Sequence, residues 1–285
     1  MLRFSANLGF LWSQLPLLER IDRATASQFT AIELHWPYDT SPTEVRDACQ
    51  RNGLKLLAAN APIGNASLGE SGLAALPGRE ADFKESFQSS LVWCHQAGAK
   101  AIHVLPGIVP VDQRVLATKT LVSNLQWAAD LAAQRGFTIL LEAINQRDKP
   151  GYFYSTQAES NAIREKCERD NIKLMFDVYH VGVSEGDILN KLEYYLPHIG
   201  HIQIAAVPSR AEPDEGEVDY SVVLRRIDSL GYQGWIGCEY KPRSSVEAGL
   251  AWRTPFMMEV CEESPATYPH TISPLALVFF AQMRK

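Results

Sequence analysis

The stretch TILLEAIN (residues 138–145), followed one amphipathic segment later by KLMFDVYH (173–180), decides how the chain is read. Each opens as a short apolar run and ends on a carboxylate, Glu142 in the first and Asp177 in the second. A nearly continuous apolar run suits a strand covered on both faces. The segment between them, Gln157–Arg169, reads as a helix. A strand, a helix and a second strand of this kind make a right-handed parallel crossover unit.

The same alternation recurs outward in both directions. Strands are predicted at Phe4–Leu8, Ala31–Leu34, Lys55–Ala59, Ala101–Leu105, Thr138–Leu141, Lys173–Phe176, His201–Ala205 and Trp235–Cys238. Helices are predicted at Pro42–Arg51, Glu80–Gln96, Leu116–Arg135, Gln157–Arg169 and Tyr220–Leu230. Ser41-Pro42 has the form of an N-cap followed by proline in the first helical turn. Gly53, Gly98, Gly136 and Gly231 stand where helices would close on a left-handed residue. Eight strands linked by crossovers predict a closed (β/α)₈ TIM barrel. An open doubly wound sheet would need a switch point, usually with a glycine-rich phosphate loop after its first strand. Here that strand runs into Asn7-Leu8-Gly9-Phe10, and no such loop follows. Residues 1–253 are expected to form one barrel and 254–285 an appended tail.

Composition narrows the function. Hydrophobic residues are 46% and charged residues 21% of the 285, which is ordinary globular usage with enough apolar surface for a large core. A net charge of −6 is the wrong sign for nucleic acid or an anionic membrane. No run of about 18 apolar residues spans a bilayer. The N-terminus lacks the pattern of a signal peptide. Five scattered cysteines without a CxxC pair suggest neither a disulfide framework nor a cysteine zinc site. A cytoplasmic protein with reduced thiols is expected.

In a barrel, chemistry gathers at the C-terminal ends of the strands. The last polar residues of the later strands are Glu142, Asp177 (with His180 three residues on), Gln203 and Glu239. A single carboxylate after an apolar run is ordinarily a helix N-cap or a solvated loop residue. Four oxygen donors in phase at one rim, three of them acidic, repel one another unless a cation lies among them. Oxygen-rich donors suit Mg²⁺ or Mn²⁺ better than structural zinc. Gln203 would keep the charge of such a site in bounds, and His180 would orient a ligand or bond substrate. His95 and His198 read as surface or core residues.

The stretches RFSANL, ALPGRE, LLEAIN, FDVYH, HIQIA, AEPDEGEVDY and GYQGWIGCEYKPR, spread over roughly residues 2–253, resemble the hydroxypyruvate isomerase family. That family includes 2-oxo-tetronate isomerases and belongs to the xylose-isomerase-like barrels. The resemblance implies that Glu142 and Glu239 are proton donor and acceptor, and that Asp177 and Gln203 complete a metal site shared with them. It also places His180 at the histidine that follows the ligand aspartate. The implied reaction interconverts hydroxypyruvate and tartronate semialdehyde through an enediolate stabilised by the cation. The substrate's carboxylate needs a cationic anchor. Arg210 is the first candidate and Lys241 the second, while Arg79 opens a helix and is the weakest. The partner is thus a small hydroxy-keto acid. Alternatives are 2-oxo-tetronate isomerisation, ketose 3-epimerisation, and a non-catalytic small-acid binding protein on the same scaffold. An apurinic endonuclease is disfavoured by acidic charge and only seven scattered histidines.

Overall fold

The computed structural model describes residues 1–257 and shows eight parallel strands closed into a barrel, each paired with its neighbours in sequence order. The strands are β1 (Phe4–Asn7), β2 (Ala31–Leu34), β3 (Lys55–Asn60), β4 (Ala101–His103), β5 (Thr138–Glu142), β6 (Ile172–Asp177), β7 (Ile199–Ile204) and β8 (Ile236–Cys238). The barrel closes where β1 pairs with β8, Phe4 opposite Ile236. Around it run α1 (Leu17–Ala26), α2 (Pro42–Arg51), α3 (Glu80–Ala97), α4 (Arg114–Ala133), α5 (Gln157–Cys167), α6 (Val178–Ser184), α7 (Ile188–Tyr195), α8 (Tyr220–Ser229) and α9 (Thr254–Met257).

Local chemistry explains the element ends. Pro42 follows Ser41 at the start of α2, and a capping box between Thr156 and Glu159 opens α5. Gly98 closes α3 at φ 88°, a conformation that favours a residue without a Cβ. β4 stops at His103 rather than Leu105, and the chain then enters an isolated bridge between Pro106 and Gly72. Proline lacks the N–H that a continuing ladder would use. Four helices lie outside those named from periodicity, α1, α6, α7 and α9. α6 holds only seven residues and begins directly on the strand-end Asp177, whose carboxylate accepts from the Tyr179 N–H at 2.9 Å. So short a helix leaves little period to read.

Two regions of apolar packing result. The large one lies between strands and helices, joining Ile32, Ile102, Ile139 and Phe176 to Phe87, Leu91, Leu121 and Leu125. The small one, inside the barrel's lower half, contains Ala58, Leu140 and Met175. Beyond β8 the chain descends the outside of the barrel. Trp252 packs edge-on against Phe4 with centroids 5.2 Å apart, and the Arg253 guanidinium lies 4.0 Å over Phe29. Thr254–Met257, expected in the tail, forms a helical turn, and the Leu2 N–H bonds the Phe256 carbonyl at 3.3 Å. The rest of the expected tail, 258–285, lies outside the described residues, as does Cys261. Cys49, Cys94, Cys167 and Cys238 are buried thiols.

Candidate active site

Glu142 ends β5, Asp177 ends β6, Gln203 sits one residue before the end of β7, and Glu239 follows β8. The register sets Asp177 level with Gln203, and Gln203 level with Gly237. All four side chains are buried at the C-terminal end of the barrel. One donor atom from each of Glu142, Asp177 and His180 lies within 4.8 Å of the others. Three buried oxygens, Glu142 Oε1, Asp177 Oδ2 and Gln203 Oε1, have no hydrogen-bond partner among the described residues. Leaving such atoms unpaired costs about 1–3 kcal/mol each, more when charged. Their chemistry suits a hard divalent cation, so the oxygen donors predicted from sequence fit one.

His180 plays a different part. Its Nδ1 faces two donors from Asn145, the backbone N–H at 3.3 Å and the side-chain Nδ2 at 2.7 Å. Asn145 Oδ1 is already taken by the Asp148 N–H at 2.8 Å, which orients that amide. Nδ1 therefore accepts, and the ring proton sits on Nε2, which lies 3.5 Å from Asp177 Oδ2 and 3.6 Å from Glu142 Oε1. Burial, and next the charge of Arg210, holds His180 down at about 3, so the ring is neutral at pH 7. In this tautomer His180 offers the site a donor rather than a lone pair.

The two glutamates occupy opposite electrostatic surroundings. Burial, followed by repulsion from Glu239 and Asp177, pushes Glu142 well above the usual carboxylate range. Burial and the Glu239 charge likewise raise Asp177 to about 7. Burial would raise Glu239 too, but the hydrogen bond with His35 and the charge of Arg210 outweigh it and hold it at about 2. Its contacts are His35 Nε2 at 2.9 Å, Asn7 Nδ2 at 3.1 Å and an Arg210 guanidinium nitrogen at 3.2 Å.

Arg210 reaches the site from the loop after β7. Its guanidinium sits between the rings of Phe10 and Tyr179, 4.8 and 4.9 Å from their centroids, and bonds Asp148 at 3.4 Å. Its Nε–H is buried without a partner among the described residues. Lys241 is not drawn in: β8 ends at Cys238, the Lys241 side chain is exposed, and only its backbone N–H is tied to Arg210, through that residue's carbonyl at 2.8 Å. Arg79 pairs with Glu70 and Asp82, bracing the loop that leads into α3.

Sequence reasoning on the late strands missed Asn7, Glu33, His35, His103 and His201. Asn7 and His35 hold Glu239, and His103 Nε2 stands 3.6 Å from Glu142. Glu33 on β2 reaches His201 and Gln203 on β7 through the barrel interior, because β1 and β8 lie between those strands. The missing signal was the same rule extended to the early strands: FSAN, AIELH and AIH also end on polar residues. A cavity of about 820 Å³ opens at the opposite end of the barrel around Lys55, Lys173 and Trp235. No carboxylate lines it, so its size says nothing about the chemistry.

Comparisons with known proteins agree with this fold. The family model described as xylose isomerase-like TIM barrel matches residues 21–256. The chain is 44% identical over 256 residues to the 2-oxo-tetronate isomerase of Cupriavidus necator, covering 90% of this chain and 98% of that protein. It is 35% identical over 259 residues to the hydroxypyruvate isomerase of Escherichia coli, covering 90% of this chain and all (100%) of that one. A crystal structure from Brucella melitensis, described as an AP endonuclease of family 2, superposes with a TM-score of 0.87 at 36% identity, over 90% of this chain and 99% of its own. The chain belongs to the xylose isomerase-like TIM barrel family, on the branch that holds the hydroxypyruvate and 2-oxo-tetronate isomerases.

Proposed function

We propose that this aldose–ketose type isomerase interconverts hydroxypyruvate and tartronate semialdehyde, with Glu142 and Glu239 moving the proton between adjacent carbons. The observation that carries the reading is geometric: those two carboxylates lie buried with Asp177 and Gln203 at one end of the barrel, in contrasting surroundings. One is pushed toward holding a proton and the other toward giving it up, at the same barrel end. In the forward direction a proton leaves the hydroxyl-bearing carbon for one glutamate, and the opposite glutamate delivers a proton to the former carbonyl carbon. The hydroxyl proton passes to the neighbouring oxygen, so the product is an isomer with no atom gained or lost.

Glu142, Asp177, Gln203 and Glu239 would hold a divalent cation, Mg²⁺ or Mn²⁺. When bound, it supplies positive charge beside the two oxygens on which negative charge develops. His180 Nε2–H adds a neutral donor at the same place, which stabilises a developing oxyanion without changing the site's charge. Arg210 is the anchor for the substrate carboxylate, since its Nε–H has no partner among the described residues and its guanidinium lies over the rings of Phe10 and Tyr179. Its contact with Glu239 ties the substrate's charged end to one of the proton-moving groups.

The test is kcat/KM on hydroxypyruvate and on 2-oxo-tetronate side by side, with a ketose and abasic DNA as further arms. Turnover of hydroxypyruvate above the rest supports the reading. Preference for 2-oxo-tetronate moves the chain to its four-carbon relatives. Ketose epimerisation alone, DNA cleavage alone, or metal-dependent binding of the acids without turnover each overturns it. The net charge of −6 and the buried site favour a small acid over nucleic acid. No helix among the described residues is long and apolar enough to cross a membrane. Four buried thiols fit the cytoplasmic location we assign.

A further inference from the structure

We infer that Glu33 is a positioning residue that fixes which way the Gln203 side-chain amide faces, so that its oxygen rather than its nitrogen is offered to the cation site. The inference rests on the metal reading above and adds a residue on a different strand. Gln203 Nε2 donates to Glu33 Oε2 at 2.7 Å, while Gln203 Oε1 is buried with no partner among the described residues. Glu33 is itself held: Ser5 Oγ donates to its Oε1 at 2.9 Å, and His201 Nε2 lies 3.1 Å from both of its oxygens.

An amide has two nearly isosteric ends, one donating and one accepting. Left alone in a buried rim, Gln203 gains little from either orientation, and the wrong one turns an N–H toward a cation. A carboxylate on the far side removes that freedom because it accepts and rewards only the N–H end. The fold also makes room for the crossing. Gly237, level with Gln203 on the neighbouring strand, has no Cβ, and one placed there would collide with the Glu33 carboxylate. Ser5, Glu33, His201 and Gly237 thus form a layer directly beneath the candidate ligands, where outer partners orient inner ones.

The experiment is a double-mutant cycle read by Mn²⁺ calorimetry on the purified full chain, so activity does not enter. With glutamine at 203, Glu33→Met should weaken Mn²⁺ binding about 10–100-fold. In the Gln203→Glu background the same change should not weaken Mn²⁺ binding, because either end of a carboxylate presents an oxygen and Glu33→Met there removes a facing like charge. Equal losses in both backgrounds would mean that Glu33 acts through charge or fold, and would overturn the assignment. Thermal unfolding without metal checks each variant. Should Glu33→Met fail to fold, Glu33→Gln replaces it in the same cycle, with the same two outcomes. Asp177→Asn separates the readings. If it abolishes Mn²⁺ binding while the cycle shows no coupling, only the role of Glu33 falls. If the unmutated protein takes up no Mn²⁺, the metal reading falls and the role of Glu33 with it.

Discussion

The two ends of this barrel are built from the same eight strands and could hardly differ more. At the C-terminal end, inward positions carry Asn7, His103, Glu142, Asp177, Gln203 and Glu239, all nearly inaccessible and several with unpaired polar atoms. At the N-terminal end a cavity of about 820 Å³ is lined by Ala58, Leu140 and Ala101, with Lys55, Lys100 and Lys173 among its rim residues. Volume and chemistry are therefore separated. Stability can be met by apolar packing anywhere along the strands. The cost of burying unpaired carboxylates is tolerated only where something is to be bound.

The widest gap between the ends should appear in turnover. Glu142→Gln and Glu239→Gln should each lower kcat by about 10²–10⁴-fold, the usual cost of removing a general acid or base, while circular dichroism shows an intact fold. Near-normal kcat in either variant would end the two-glutamate mechanism.

Metal affinity is the next contrast. Asp177→Asn should weaken Mn²⁺ binding by more than the roughly 10–100-fold expected for an outer partner, with little change in metal-free stability. Unchanged calorimetry would remove Asp177 from the site. Because Asp177 is raised to about 7 and Glu142 is raised as well, a bound cation must displace protons. Mn²⁺ affinity should thus fall below pH 7 by up to about tenfold per pH unit for each proton. The stability consequence follows the same sign. A carboxylate whose folded pKa is raised stabilises the fold below the unfolded range, near 4, and that contribution is lost as pH rises through about 7. Metal-free Tm should drop across that window, and saturating Mn²⁺ should cancel the drop. Glu239 has the opposite sign, its contribution being lost as pH falls toward about 2.

Arg210→Ala sharpens the comparison within the active end. Removing a charged hydrogen-bond partner is worth about 1.5–3 kcal/mol, or roughly 10–100-fold, and should appear mainly as a higher KM for the acid. The guanidinium also bonds Glu239, so kcat should fall as well, on charged and uncharged hydroxy-ketones alike. A loss identical in KM and kcat for both substrate types would mean that Arg210 serves only Glu239. The smallest effect belongs to the other end. Trp235, with the Arg3 guanidinium 4.1 Å and the Lys55 ammonium 5.0 Å from its ring centroid, should lose roughly 1–2 kcal/mol of stability on Trp235→Ala. Turnover should be unchanged, and a large loss of kcat would tie the two ends together.

Much of this was legible in the chain itself. The eight apolar runs, the glycines after the helices and the polar residues closing TILLE, KLMFD and WIGCE are local features, and a periodicity of two along a strand carries them to one rim. What no local pattern contains is which strands face each other across a closed interior. Only the tertiary structure sets Glu33 of β2 against Gln203 of β7, and turns Arg210 back from its loop onto Glu239. It also leaves Lys241 outside, because β8 ends before the alternation can carry its side chain inward. The protonation pattern is likewise a property of the assembled site. Glu142 and Glu239 are the same residue type at matching strand ends, and they diverge because His35 and Arg210, distant in sequence, gather around one of them while burial beside like charges acts on the other.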